Sequence, residues 1–413
     1  MKTAFFTQNV NQGGLDTFIL NLIKYWPEDD QITLFCNRSH PGLPMLCKHL
    51  AGKVTVVPYD FWIAQDIGDR LARAPVIARL LFRALFWLFG FPYLLFQTRA
   101  VLKKNNPDRL MVINGGYPGG DACLAATIVW ASINPKAPAW HNFHNLVVPH
   151  SNWPLRKLKE QLIDYFLVRA AAGFVTVSGA CMKTLDIRPK LAASNRAFIY
   201  NGTVPMVPRF KTSLALELGL PRDTPVILML AVYQPRKGHA FMIRAFEKVV
   251  RQVPSAALVM CGDGSSDEVE RVRQMRNTSA SAQQIFLQGH RTDVDDLLSQ
   301  AAVLVLPSQA QESFGYSAVE GMASSCPVVV TDIGGLPEVV ENGVSGFVVP
   351  SDDCSAFADR IVALLQDGAL RSRIGKAGKA RYKDLFQAKR MSNEYWQLLE
   401  GTVRLRNRHG SSA

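Results

Sequence analysis

Short apolar runs alternate with segments of helical period along most of the chain. In the first half the runs fall at residues 4–6, 32–35, 54–57, 109–113, 173–177 and 197–200. In the second half they fall at 226–230, 257–260, 285–287, 302–306, 327–330 and 346–349. Most are continuously apolar rather than alternating, the pattern of strands buried on both faces of a parallel sheet. Between them, segments such as 17–23 and 241–250 carry apolar residues at helical spacing. The chain therefore reads as α/β, with two doubly wound, Rossmann-like sheets covered by helices.

Length agrees, because 413 residues exceed one ordinary core and suit two domains. The stretch from Asn201 to Pro208 holds two prolines and a glycine without helical period, which places a hinge near 203–212. The expected division is an N-terminal domain over 1–208 and a C-terminal domain over 209–387. A last helix, 388–404, crosses back onto the first domain, and 405–413 forms a basic, solvated tail.

A formal charge of +12 and a pI near 9.4 point to a polyanionic partner. No helix-turn-helix, zinc or RNA-recognition signature accompanies the charge, so nucleic acid is not expected. The seven cysteines are scattered and form no C-x-x-C pair, which supports neither zinc nor a disulfide framework and fits a reducing, cytoplasmic setting. The apolar part of the first eight residues is too short for a signal peptide and reads as a strand.

Residues 83–96, which include Trp87 and four phenylalanines, are uncharged after Arg83 and flanked by Arg70, Arg73, Arg79, Arg99, Lys103 and Lys104. The uncharged stretch falls short of the ~20 residues of a spanning helix and contains Pro92, so no crossing is expected. Two readings stand: a peripheral contact with an anionic membrane, or a buried helix of the first domain.

The densest chemistry lies between Pro307 and Glu338. A buried strand ends at Pro307-Ser308, a helix begins near Ser317, and Glu312 and Glu320 stand eight positions apart around Gly315. Phe314, Gly315 and Tyr316 present backbone amides at the helix start, where orphan donors and the dipole favour a phosphate. This Glu-x7-Glu element resembles that of the retaining glycosyltransferases of family four, which have the GT-B fold: two Rossmann-like domains facing across a cleft. The resemblance extends over nearly the whole chain and is strongest from 226 to 350.

From that resemblance, Glu312 accepts hydrogen bonds from donor-sugar hydroxyls, Glu320 holds the ribose, and Lys237 neutralises the nucleotide diphosphate. The family arginine that partners this lysine is replaced here by Val232, and Arg236 is the available substitute. Gly262 and Gly264 resemble the family's glycine-aspartate-glycine turn on the nucleotide side, and Arg291 lies in a loop that passes the base. Gly13 and Gly14 correspond to the loop contacting donor phosphate and acceptor, and His144 followed by Asn145 matches a histidine near the donor sugar better than His141 does. Glu338 lies in a turn that completes the nucleotide pocket, or is simply a first-turn acid.

No metal-ligand cluster or hydrolytic triad is present in the sequence, and no cofactor or metal is expected. The implied activity is retaining transfer of a sugar from a nucleotide-diphosphate sugar to a glycan or lipid-linked acceptor, in cell-surface polysaccharide or lipopolysaccharide assembly. The alternatives are a non-catalytic nucleotide-sugar-binding partner of another transferase and a GT-B nucleotide-sugar epimerase.

Overall fold

The computed structural model describes residues 1–64, 66–210 and 213–401. The expected tail 405–413, the end of the last helix beyond 401, and positions 211–212 of the expected hinge lie outside them. The chain divides into two compact units, one of Met1–Tyr200 with the residues from Lys389 onward, the other of Asn201–Ala388. The division comes before residue 208 because Thr203 is hydrogen-bonded within the second unit: its amide donates to the Phe386 carbonyl at 2.9 Å, and its carbonyl accepts from the Ala388 amide at 3.0 Å.

The first unit is built on seven parallel strands: β1 (Lys2–Gln8), β2 (Gln31–Asn37), β3 (Val54–Tyr59), β4 (Arg109–Asn114), β5 (Trp140–Phe143), β6 (Gly173–Thr176) and β7 (Arg196–Phe198). Their order is β3-β2-β1-β4-β5-β6-β7, so the sequence order reverses between β1 and β4. Phe5, Phe6, Leu34, Phe35, Met111 and Val112 are fully buried on the central strands, as the continuous apolar runs require. Strand β5 is missing from the apolar runs because His141 and Asn142 occupy its core positions. The helix Ala388–Glu400 returns to this unit: Ser392 Oγ donates to the Leu22 carbonyl at 2.6 Å, Asn142 Nδ2 donates to Tyr395 Oη at 3.1 Å, and Glu400 pairs with Arg109.

Segment 83–96 lies inside one unbroken helix, Val76–Asn105, which passes through Pro92. The expectation of an interrupted, undersized segment is thereby corrected, since by length and composition this helix could cross a bilayer. Its place in the fold argues for covering the sheet instead. The strands before and after it, β3 and β4, belong to one sheet, and Gly90, Leu94, Thr98 and Leu102 form a buried stripe at helical spacing. Its first half leaves Ile77, Leu81, Leu85 and Phe89 exposed.

A second helix, Pro154–Ala170, is inverted. It buries Glu160 and Asp164 and exposes Leu155, Leu158, Leu162 and Phe166. The acids face inward because Arg188, itself fully buried, donates to Asp164 at 3.1 Å and to Glu160 at 3.0 Å. Asp164 also accepts from Tyr117 and lies 2.9 Å from His150 Nε2.

The second unit carries six parallel strands: β8 (Val226–Leu230), β9 (Ala257–Cys261), β10 (Ile285–Gln288), β11 (Val303–Leu306), β12 (Val328–Thr331) and β13 (Phe347–Val349). The order is β10-β9-β8-β11-β12-β13, with its reversal between β8 and β11. Every apolar run read from the second half is a strand here. Helix His239–Gln252 packs Phe241, Met242, Phe246 and Val249 onto this sheet with Phe357 and Ile361 from helix Cys354–Gln366.

The buried network yields a stability prediction. Removing a buried ion's partner leaves an uncompensated charge, so Arg188→Met should lower unfolding free energy by about 3–5 kcal/mol in chemical denaturation. Arg196→Met, whose partner Asp186 is half exposed, should cost less than about 1 kcal/mol.

Candidate functional site

In an open α/β sheet, the loops that leave adjacent strands on either side of the order reversal diverge and open a crevice at the strands' carboxyl ends. In the second unit those loops follow β8 and β11. They bring Lys237 and Glu312 together: Lys237 Nζ donates to Glu312 Oε2 at 2.5 Å, and Ser308 Oγ donates to the same oxygen at 3.0 Å. Both members of the pair are largely shielded from water. Glu312 sits here because the chain leaving β11 turns at Pro307-Ser308, whose carbonyl at Ser308 accepts from Thr331 Oγ1 at 2.5 Å on β12.

The two loops are stitched by backbone. The Gln309 amide donates to the Arg236 carbonyl at 2.7 Å, and Arg236 Nη1 donates to the Gln311 carbonyl at 3.1 Å. Arg236 Nε is further held by Gln234 Oε1 at 2.9 Å. Gly238, at φ +79°, approaches so closely that a Cβ would lie 1.9 Å from the Pro307 carbonyl oxygen. Gly334, at φ +60°, does the same from the other side, with a Cβ position 1.8 Å from the Glu312 carbonyl oxygen. The Gly335 amide donates to that carbonyl at 2.9 Å. The Glu312 loop is thus clamped between two turns that only glycine can form without strain.

Helix Tyr316–Ala323 starts immediately after this loop, with Gly315 as its N-cap at φ +101°. Its first amides and dipole end lie beside Glu312 in sequence, in keeping with an anion site. Ser317 Oγ donates to the Leu230 carbonyl at 3.1 Å, fixing the helix start to the end of β8. Phe314 is buried edge-on against Tyr316 and Phe386, so its side chain anchors the loop. Glu320 lies five residues into the helix, where burial and the Asp295 carboxylate push its pKa up to about 7.

The remaining expected residues divide by what holds them. Gly262 and Gly264 allow the loops after β8 and β9 to touch: a Cβ on Gly262 would lie 2.0 Å from the Ala231 carbonyl oxygen, and one on Gly264 would lie 2.9 Å from Tyr233 Cβ. Arg291 is held by two carboxylates, donating to Asp293 at 2.6 Å and to Glu217 at 2.8 Å. These contacts raise its pKa further and keep it charged. Val232, in the place of the family arginine, is partly exposed. The Glu338 carbonyl accepts from Arg381 Nη2 at 2.9 Å.

In the first unit, the Gly13 amide donates to Asp16 Oδ2 at 2.9 Å, which places a carboxylate where the sequence suggested an anion. Asp16 in turn accepts from Asn9 at 3.3 Å and meets His40 Nε2 at 2.7 Å. Gly14 opens the helix Gly14–Lys24. Sequence reasoning passed over Asp16 and His40, whose only signal was an acid in the first turn of a helix. It also passed over the run Gly115-Gly-Tyr-Pro-Gly-Gly120 after β4, on the other side of that sheet's order reversal, where Asn114 Nδ2 donates to the Gly119 carbonyl at 3.0 Å.

His141 and His144 take different roles. His141 is fully buried, with Nδ1 2.7 Å from Thr127 Oγ1 and Nε2 3.3 Å from Asn114 Nδ2, a satisfied core group. His144 is partly exposed and packs on Phe18 with ring centres 4.5 Å apart. Burial pulls its pKa down to about 3, so the ring is neutral at ordinary pH. Asn142 donates through Nδ2 to the Val175 carbonyl at 3.1 Å, which turns its Oδ1 toward His144 Nδ1 at 3.2 Å and puts the ring proton on Nδ1.

Known proteins share this architecture. Residues 211–381 match the family model described as glycosyl transferases group 1. The chain is 27% identical over 187 residues to N-acetyl-alpha-D-glucosaminyl L-malate synthase of Bacillus anthracis, a match covering 45% of this chain and 48% of that protein. It is 32% identical over 179 residues to phosphatidyl-myo-inositol mannosyltransferase of Mycobacterium tuberculosis, covering 42% and 46%. The chain spans about half the length of these two relatives. In fold it is similar to HepE of Anabaena, solved in complex with UDP, with a TM-score of 0.75 at 19% identity over 97% of this chain and 100% of that one. The chain is therefore similar over residues 211–381 to the group 1 glycosyl transferases, and its two-sheet architecture is that of the GT-B fold.

Proposed function

We propose that the protein is a retaining glycosyltransferase that moves a sugar, of the hexosyl type, from a nucleotide-diphosphate sugar to a glycan or lipid-linked acceptor. The observation that carries this reading is the Lys237–Glu312 pair beside an anion-favouring helix start, at the order reversal of the second sheet. UDP in the solved structure of HepE supports a nucleoside diphosphate as the donor's leaving part.

Breaking the sugar–phosphate bond leaves negative charge on the β-phosphate. Lys237 and the amides around Gly315 are positioned to stabilise that charge, and stabilising charge that develops in the transition state lowers the barrier more than any other single effect in such a reaction. Lys237 is held by Glu312, so an arriving diphosphate competes with a carboxylate for the ammonium. Glu312 then turns its oxygens to the donor-sugar hydroxyls as a charge-assisted acceptor. Glu320 accepts from the ribose diol, a contact that its ionised form makes more strongly. His144, neutral and oriented by Asn142, serves the donor sugar. Retention follows from front-face attack, with the leaving phosphate taking the acceptor's proton. Protein cations do this work without a metal or cofactor.

The acceptor reading places the protein in cell-surface polysaccharide or lipopolysaccharide assembly, at the inner face of the cytoplasmic membrane, with residues 83–96 in peripheral contact. A second reading, a donor-binding partner without turnover, is favoured by one observation: Val232 stands where the family has a cation, and Arg236 is tied to Gln234 and Gln311.

Two experiments test the site, the first of which separates these readings. Purified protein given UDP-, GDP- and ADP-sugars with a bacterial-type lipid extract should release the nucleotide from one donor, as followed by chromatography. Lys237→Ala and Glu312→Ala should each slow release roughly a hundredfold or more, whereas donor binding without release in the native protein would indicate the partner subunit. For Glu320, the neutral form dominates below its pKa and the ionised form above it. Donor affinity measured by calorimetry should therefore rise as pH increases through about 7, and Glu320→Gln should bind weakly with that rise abolished.

A further inference from the structure

A groove of about 630 Å³ runs between helices Val76–Asn105 and Pro154–Ala170, lined by Trp87, Leu88, Pro92, Leu155, Leu158 and Leu162. Its polar complement is one-sided. The first helix contains no acidic residue, and the only acids of the second, Glu160 and Asp164, are buried against Arg188. Every exposed charge on the two helices is therefore cationic, including Arg83, Lys103, Arg156, Lys157 and Arg169.

We propose that these two helices together form a docking face for an anionic phospholipid bilayer, with the groove between them receiving an acyl chain. This deepens the membrane contact read from residues 83–96, rests on the lipid-linked acceptor reading, and adds a second helix that no sequence pattern flagged. Leucines 155, 158 and 162, each more than half exposed, form a stripe at helical spacing. A soluble helix buries such a stripe; this one buries its carboxylates and turns the leucines outward, which calls for an apolar partner.

The aromatic residues match the interface between hydrocarbon and headgroups. Trp87 and Trp153 stand 5.9 Å apart between ring centres, and Lys159 lies 5.2 Å over the Trp87 ring while donating to the Trp87 carbonyl at 2.7 Å. Tryptophan rings with cations beside them sit at headgroup level, above leucines that reach the acyl chains. Charge selects among possible occupants. A second copy would bring cations against cations, and nucleic acid gains nothing from exposed leucines, whereas an anionic leaflet satisfies both features.

The test is sedimentation of the full chain with vesicles of phosphatidylcholine alone and of an equimolar mixture with phosphatidylglycerol. Binding is expected to the anionic vesicles, to weaken with salt, and to fall about fivefold in Lys157→Ala or Arg83→Ala. It should be abolished by Leu158→Glu, an exposed substitution that leaves thermal unfolding unchanged. Lipids brominated on the acyl chain should quench tryptophan fluorescence in the native protein and much less in Trp87→Phe with Trp153→Phe. Equal binding to both vesicle types, no binding to either, or a concentration-dependent dimer relieved by Leu158→Glu would overturn the proposal. Since no donor is present, these outcomes are independent of whether nucleotide is released.

Discussion

The Lys237–Glu312 ion pair is the contact about which the loops of the second unit's sheet reversal are arranged, and the surrounding backbone holds it in place. Two loops leave neighbouring strands where the sheet reverses its order, a place at which they would ordinarily splay apart. They are drawn together by hydrogen bonds between residue 236 and the backbone of 309 and 311 and by the close approach of Gly238 to the Pro307 carbonyl, while Gly334, in the loop after β12, closes on the Glu312 carbonyl from the other side. A shielded carboxylate and ammonium are costly to desolvate unless paired. Their pairing offsets that cost and fixes both side chains where the two loops meet.

Much of this is readable in the sequence because it depends on local rules. Parallel strands buried on both faces must be apolar without alternation, so residues 226–230 and 303–306 announce themselves, and Pro307 and Gly315 mark where the loop begins and the helix starts. Strand β5 escapes the same reading because His141 and Asn142 are satisfied by Thr127, Asn114 and Val175 rather than by apolar neighbours. The fate of Gly13 is equally hidden: its amide is taken by Asp16, a contact set by the pairing of Asp16 with His40 from a different part of the chain. Arg291 reads as a surface cation or a base contact, and only the fold reveals the two acids that hold it.

The first unit shows the opposite failure, in which helical periodicity is present in the sequence but its direction is not. Helix Pro154–Ala170 carries both an apolar stripe and a charged stripe, and a soluble helix ordinarily buries the former. Arg188, distant in sequence and fully enclosed, decides otherwise by demanding two carboxylates. The buried charge network and the outward leucines are thus one feature seen from two sides. It gives the first unit a cationic, apolar face, while the second unit encloses its Lys237–Glu312 pair at the sheet reversal.

A structure of the protein with a nucleoside diphosphate bound tests the role of the ion pair most directly. The β-phosphate is expected within hydrogen-bonding distance of Lys237 Nζ and of the amides at the start of helix Tyr316–Ala323, with the Lys237–Glu312 contact lengthened beyond its present 2.5 Å. A diphosphate bound elsewhere with that ion pair undisturbed would contradict this role.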